Sequence, residues 1–130
     1  MNIRPIIAVD YDDTLVSYNT GEPNYYLFEA LKRFRKKGGK VILWTCRHDA
    51  KLHEAVVTCA DYGLYFDAVN HNVPEEYYLF PDGHGSPKVF AHLYIDDKGQ
   101  GDISQAYEKI EMLLNELISD RENKEEIYDD

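Results

Sequence analysis

Short, uninterrupted apolar runs alternate along this chain with longer segments of helical periodicity. Ile6-Ile7-Ala8-Val9 has no polar face, as a strand covered on both sides requires. Residues 41–44 (VILW) repeat that pattern, 66–69 form a weaker third run, and 93–95 (LYI) a fourth. Between the first two, residues 24–37 put Leu27, Leu31 and Phe34 on one helical face, with Asn24 as N-cap and Gly38-Gly39 as the stop. Residues 49–62 carry Leu52, Ala55, Val56, Cys59 and Ala60 at helical spacing, closed by Gly63. After the fourth run, Ile103, Ala106, Ile110, Leu113, Leu114 and Leu117 make one stripe, opened by a capping-box pair, Asp102 and Gln105. A β-α-β-α-β order of this kind predicts an α/β fold with a parallel sheet.

Organisation follows from the same pass. Residues 70–87, polar and holding Pro74, Pro81, Gly83 and Gly85, are too long for an ordinary connector. No repeat or second domain is visible, so the expectation is one domain over 1–118 and an acidic tail over 119–130. At 130 residues, 44% apolar, with eleven Tyr, five Phe and one Trp, the chain can bury a single core and is too aromatic to be disordered.

Charge and cysteine usage narrow the function classes. Half of the net charge of −10 sits between 116 and 130, where seven acids face Arg121 and Lys124. No basic stripe is present to neutralise a phosphate backbone, which argues against a duplex-binding module. The apolar runs are too short for a bilayer, and the first five residues hold no secretory h-region. Cys46 and Cys59 fit neither a metal spacing nor a disulfide framework, and the five histidines show no ligand spacing, so zinc is not supported. A cytoplasmic location and no membrane contact are expected.

The ends of the apolar runs carry the chemistry. In an open parallel sheet, ligands bind beyond the carboxyl ends of the strands. Here the first run ends in Asp10-Tyr11-Asp12-Asp13-Thr14, the second in Thr45-Cys46-Arg47 and the fourth in Asp96-Asp97-Lys98. Acids converging on one sheet edge repel one another unless a cation lies between them. Oxygen donors without His or Cys suit a hard ion, Mg²⁺ first. Loop preferences of Asp explain one such cluster easily, and two at adjacent strand ends much less well.

These motifs resemble the haloacid dehalogenase (HAD) superfamily of phosphohydrolases. The family's D-x-D-x-T after an apolar strand is matched by residues 10–14, its strand ending in Thr or Ser by residues 41–45, and its strand ending in an acidic pair by residues 93–97. The resemblance covers 6 to about 102, with the motifs in the family's order. It implies a three-layer, Rossmann-like (HAD-like) domain with core strand order 4-1-2-3, because the first and last motifs must meet at one cation. It also implies a phosphoric monoester hydrolase, a phosphatase that works through an aspartyl-phosphate.

By that resemblance Asp10 is the nucleophile. Asp12 protonates the leaving oxygen and then activates water, and its presence favours phosphoryl transfer over carbon–halogen cleavage. Asp10, the main-chain carbonyl of Asp12 and Asp96 hold Mg²⁺, with Asp97 a direct or water-mediated ligand. Thr45 donates to a phosphoryl oxygen. Lys88 is matched to the phosphate-clamping lysine, although only seven residues separate it from Asp96, and Lys98 and Lys51 are the fallbacks. Arg47 is placed to read a second anionic group. Thr14 orients the first loop, and Asp13 occupies a variable position.

Family members usually cover the site with an inserted cap. Here residues 16–23 suit only a short hairpin flap around Thr20-Gly21, and no other interval holds a domain. The expected form is minimally capped, open to a phosphorylated small molecule or a bulky phosphorylated substrate, with a second subunit as the other possible lid. Rival readings are a non-catalytic phosphate- or metal-binding module of the same fold, and a phosphotransferase to an acceptor other than water. A response-regulator receiver fits less well, since its phosphorylated Asp ends a middle strand. Neither the substrate nor the oligomeric state is legible in the sequence.

Overall fold

The structure, a computed structural model, describes residues 4–73, 89–96 and 103–128, with side chains of the last segment described over 104–118. Among the described residues seven elements follow one another: β1 (Ile6–Val9), α1 (Tyr25–Lys36), β2 (Lys40–Leu43), α2 (Asp49–Asp61), β3 (Ala68–Val69), β4 (Leu93–Ile95) and α3 (Ile103–Tyr128). The strands form one all-parallel sheet in the order β3-β2-β1-β4. This is an α/β, Rossmann-like three-layer fold with the strand order expected from the motifs.

Strand pleating sorts the core into two faces. Ile7, Val9, Val41, Leu43, Leu93 and Ile95 point one way and pack under the helices. There they meet Leu27, Phe28, Leu31 and Phe34 of α1, Ala55 and Cys59 of α2, and Ala106, Ile110 and Leu117 of α3. Ile6, Ala8, Ile42 and Ala68 point the other way, against Val73, Val89 and Ala91. Those last three belong to the crossover between β3 and β4. A right-handed connection that steps from β3 back past β1 must cross the face opposite α1 and α2.

Local chemistry sets the boundaries. Asn24 caps α1, its Oδ1 accepting from Leu27 N at 3.2 Å, and Gly38 leaves the helix at φ 107°. The third strand is two residues, shorter than the expected 66–69, because the Asp67 side chain takes over the ladder's work. Its Oδ2 accepts from Val41 N at 2.8 Å and from Arg35 Nε at 3.1 Å. The last helix runs through to Tyr128, so residues 119–128, read as a tail, continue its backbone. Asp102, the expected partner of Gln105 in its cap, lies outside the described residues. No helix among the described residues is long and apolar enough to cross a membrane.

Candidate functional site

Parallel register brings the first and last motifs together. Val9 pairs with Ile95 across β1 and β4, and Asp10 N donates to Ile95 O at 2.9 Å. Asp10 and Asp96, the next residues on each strand, therefore leave the sheet side by side. On the other flank of β1, Val9 pairs with Leu43 and Trp44 N donates to Val9 O, which carries Thr45 to the same edge. Asp10, Thr45 and Asp96 line one cavity of about 400 Å³. Trp44 and Tyr94, whose rings lie 5.6 Å apart, form its aromatic wall.

Asp10 and Thr45 are each held from behind. Asp10 Oδ1 accepts from Tyr11 N at 2.7 Å, which fixes the carboxylate against its own loop. Thr45 is 8% exposed, and its Oγ1 accepts from Arg47 N at 3.1 Å, so the hydroxyl keeps its proton for donation. Thr45 N donates to Asn70 Oδ1 at 2.8 Å. Asn70, at φ 58° after β3, is a positioning residue that motif matching missed; an Asn directly after a strand was its only signal.

Asp12 stands apart from this cavity. Its two oxygens accept from Arg47, Oδ2 from Nε at 2.9 Å and Oδ1 from Nη2 at 2.8 Å. The guanidinium also lies 4.7 Å from the centroid of the Tyr11 ring and donates through Nη1 to Lys51 O at 3.2 Å. Bonding to Asp12 pushes Arg47 above its ordinary range. Burial raises the Tyr11 hydroxyl. Asp12 and Arg47 line a second, open groove of about 940 Å³, together with Tyr18, His48 and Lys51. Among the described residues Cys46 alone lines both spaces.

The expected flap is present and small. Val16 bridges Pro23 antiparallel, Ser17 N donates to Glu22 O at 2.9 Å, and Gly21 turns the chain at φ 74°. Asp13, at φ 60°, braces it by accepting from Tyr18 N at 2.9 Å. Thr14 N–H donates to Tyr11 O within the first loop, and its buried hydroxyl has no hydrogen-bond partner among the described residues. Asp97, Lys88 and Lys98 lie outside the described residues. The remaining fallback, Lys51, belongs to the groove beside Asp12 and not to the Asp10 cavity.

Whether these donors suit a cation is a question of count and type. Among the described residues no three His, Cys, Asp or Glu side chains gather around one point. The set expected here is the Asp10 and Asp96 side chains, a main-chain carbonyl at residue 12, and Asp97, direct or through water, which lies outside the described residues. Two carboxylates from paired strands on one cavity fit a water-rich Mg²⁺ shell, which draws few ligands from protein.

No family model matches the chain, and no curated protein does. Among solved structures it is similar to a conserved protein coded by a locus of Bacteroides thetaiotaomicron. The two share 36% sequence identity with a TM-score of 0.67, over 82% of this chain and 89% of that one. At that identity over nearly the whole of both chains, likeness of fold and of sequence have one origin, and the chain belongs to the same family as the Bacteroides thetaiotaomicron protein.

Proposed function

We propose that the chain is a Mg²⁺-dependent phosphohydrolase acting on a phosphomonoester through an aspartyl-phosphate. One observation carries the reading. Asp10 and Asp96 leave cross-strand-paired residues of β1 and β4 and share a cavity with the Thr45 hydroxyl, while Asp12, two residues on, faces a separate groove. That division suits the two halves of an ester: a phosphoryl group beside Asp10, a leaving group beside Asp12.

In the first half-reaction an Asp10 oxygen bonds to phosphorus as the bond to the leaving oxygen breaks, and Asp12 gives that oxygen its proton. In the second, water bonds to phosphorus, Asp12 takes the water proton, and Asp10 departs with both its oxygens as inorganic phosphate is released. Thr45 donates to a phosphoryl oxygen and aligns the group for in-line attack. Asp10, Asp96 and the Asp12 carbonyl would hold Mg²⁺, which when bound offsets the repulsion between nucleophile and phosphate. Lys88 is proposed as the phosphate clamp on the resemblance alone.

The rival, a non-catalytic phosphate- or metal-binding module, draws on the engagement of both Asp12 oxygens by Arg47. A screen of phosphorylated metabolites with Mg²⁺, run beside the Asp10→Asn variant, separates the two. Turnover by the wild type and none by the variant supports the hydrolase. A screen with no turnover leaves the module, and a variant as active as the wild type overturns Asp10 as the nucleophile.

A further inference from the structure

The Asp12–Arg47 pair poses a chemical problem that the groove beside it answers. The two bonds to Arg47 engage both Asp12 oxygens and compete with a leaving oxygen, so Asp12 serves it best by giving up at least one of them. Arg47 would not follow it, because three contacts independent of Asp12 hold the residue in place: the Tyr11 ring, Lys51 O, and its own N–H on Thr45 Oγ1. Its side chain is only 19% exposed. A guanidinium so placed and stripped of its carboxylate is left poorly compensated, and that cost opposes the release of Asp12. A second anion arriving from the groove removes the cost by taking over the planar fork.

The rest of the lining limits what can arrive. Lys51 adds a positive charge beside Arg47, but Asp49 and Glu54 line the same groove. With Asp12 as a third carboxylate on the same lining, a run of anionic groups is disfavoured, and a single one is favoured only where it meets the Arg47 fork. The groove is open and roughly twice the volume of the Asp10 cavity, so it takes a leaving group of some bulk.

We propose that Arg47 is an exchange latch: the preferred substrate is a phosphomonoester whose leaving half carries one further anionic group, and that group replaces Asp12 on Arg47 and so frees Asp12 for proton transfer. The proposal rests on the phosphohydrolase reading, and its test keeps the two apart.

Phenyl phosphate and its carboxyphenyl isomers differ only in the second anion and its distance from phosphorus. Binding to the Asp10→Asn protein is measured by calorimetry with Mg²⁺, and turnover by the wild type is followed with the same compounds. With Arg47 intact, at least one carboxylated isomer should bind about 10-fold or more tightly than phenyl phosphate. Addition of Arg47→Ala should erase that preference, and Arg47→Lys, which keeps the charge without the fork, should retain part of it. In turnover, the carboxylate should raise kcat as well as lower KM, because it frees the proton donor. Equal affinities in the Arg47-intact protein, or a preference that survives Arg47→Ala in a protein with unchanged circular dichroism, overturns the latch. A preference for the carboxylated isomer that Arg47→Ala erases, without turnover of any compound, keeps the second-anion site at Arg47 and overturns the hydrolase, and with it the freeing of Asp12 for proton transfer. Turnover without preference overturns the latch and keeps the hydrolase.

Discussion

At the residue scale, the two carboxylates of the first motif have different surroundings and should fail differently. Asp10→Asn should abolish turnover, since an amide cannot form the acyl-phosphate. Asp12→Asn should keep Mg²⁺ binding, to which residue 12 offers its carbonyl, and lose ~10²–10⁴ in rate. Parallel assays of turnover and metal binding on the two purified variants check this. The cysteines offer a contrast that needs no substrate. Cys46 is exposed, whereas Cys59 is fully buried and its thiol is pushed up to about 12 by desolvation. Iodoacetamide near neutral pH should label Cys46 alone in the folded protein, and Cys59 only after denaturant is added, as read by mass spectrometry. Much at this scale was legible in advance: Asp10, Thr45 and Asp96 were placed at one edge from motif order alone. The partnership of Asp12 with Arg47 was not, because 35 residues separate them and no spacing rule links two loops that meet only once the sheet has formed. Asn70 was hidden for the same reason.

At the scale of elements, helices read more clearly than strands. The apolar stripe of α1 and its Asn24 cap are local, so sequence and structure agree there to within a residue or two. The third strand depended on a side chain: Asp67 takes the Val41 N–H and closes the ladder early. Asp67→Ala should therefore cost ~1–3 kcal/mol by leaving Val41 N–H and Arg35 without this acceptor. Denaturant unfolding with an unchanged m-value would register it as a stability loss without a change of fold. The turn into β2 gives a second case. A Cβ on Gly39 would lie 2.3 Å from a ring carbon of Phe34, which is itself fully buried. Gly39→Ala should cost about 1–3 kcal/mol by overpacking, readable as a lower melting temperature.

For the whole molecule, a ligand shared by β1 and β4 acts on the stability of the entire sheet. Mg²⁺ at about one hundred times its Kd should add ~2.7 kcal/mol by mass action. The corresponding rise in melting temperature, seen by calorimetry, should vanish in Asp96→Ala. Ca²⁺ should also raise it yet support little turnover, since its larger and looser shell misplaces the nucleophile. The sheet order was readable because it followed from which strand ends had to meet. The asymmetry of the two layers was not, since it depends on a crossover whose composition resembles a loop.

The pairing of β1 with β4 also sets a timetable. The partners at the site, Val9 and Ile95, stand far apart in the chain, with α1, β2, α2 and β3 among the described residues between them. As the chain is synthesised, β1, α1 and β2 can associate early, leaving one edge of β1 open to water until residues 93–95 emerge. That open edge, apolar and unpaired, is a template for pairing with another chain until then. The same delay is protective in another sense: the pocket that brings Asp10 and Asp96 together does not exist until β4 docks. A ribosome-bound fragment ending before β4 would hold Asp10 without Asp96, and the pocket forms only when β4 arrives.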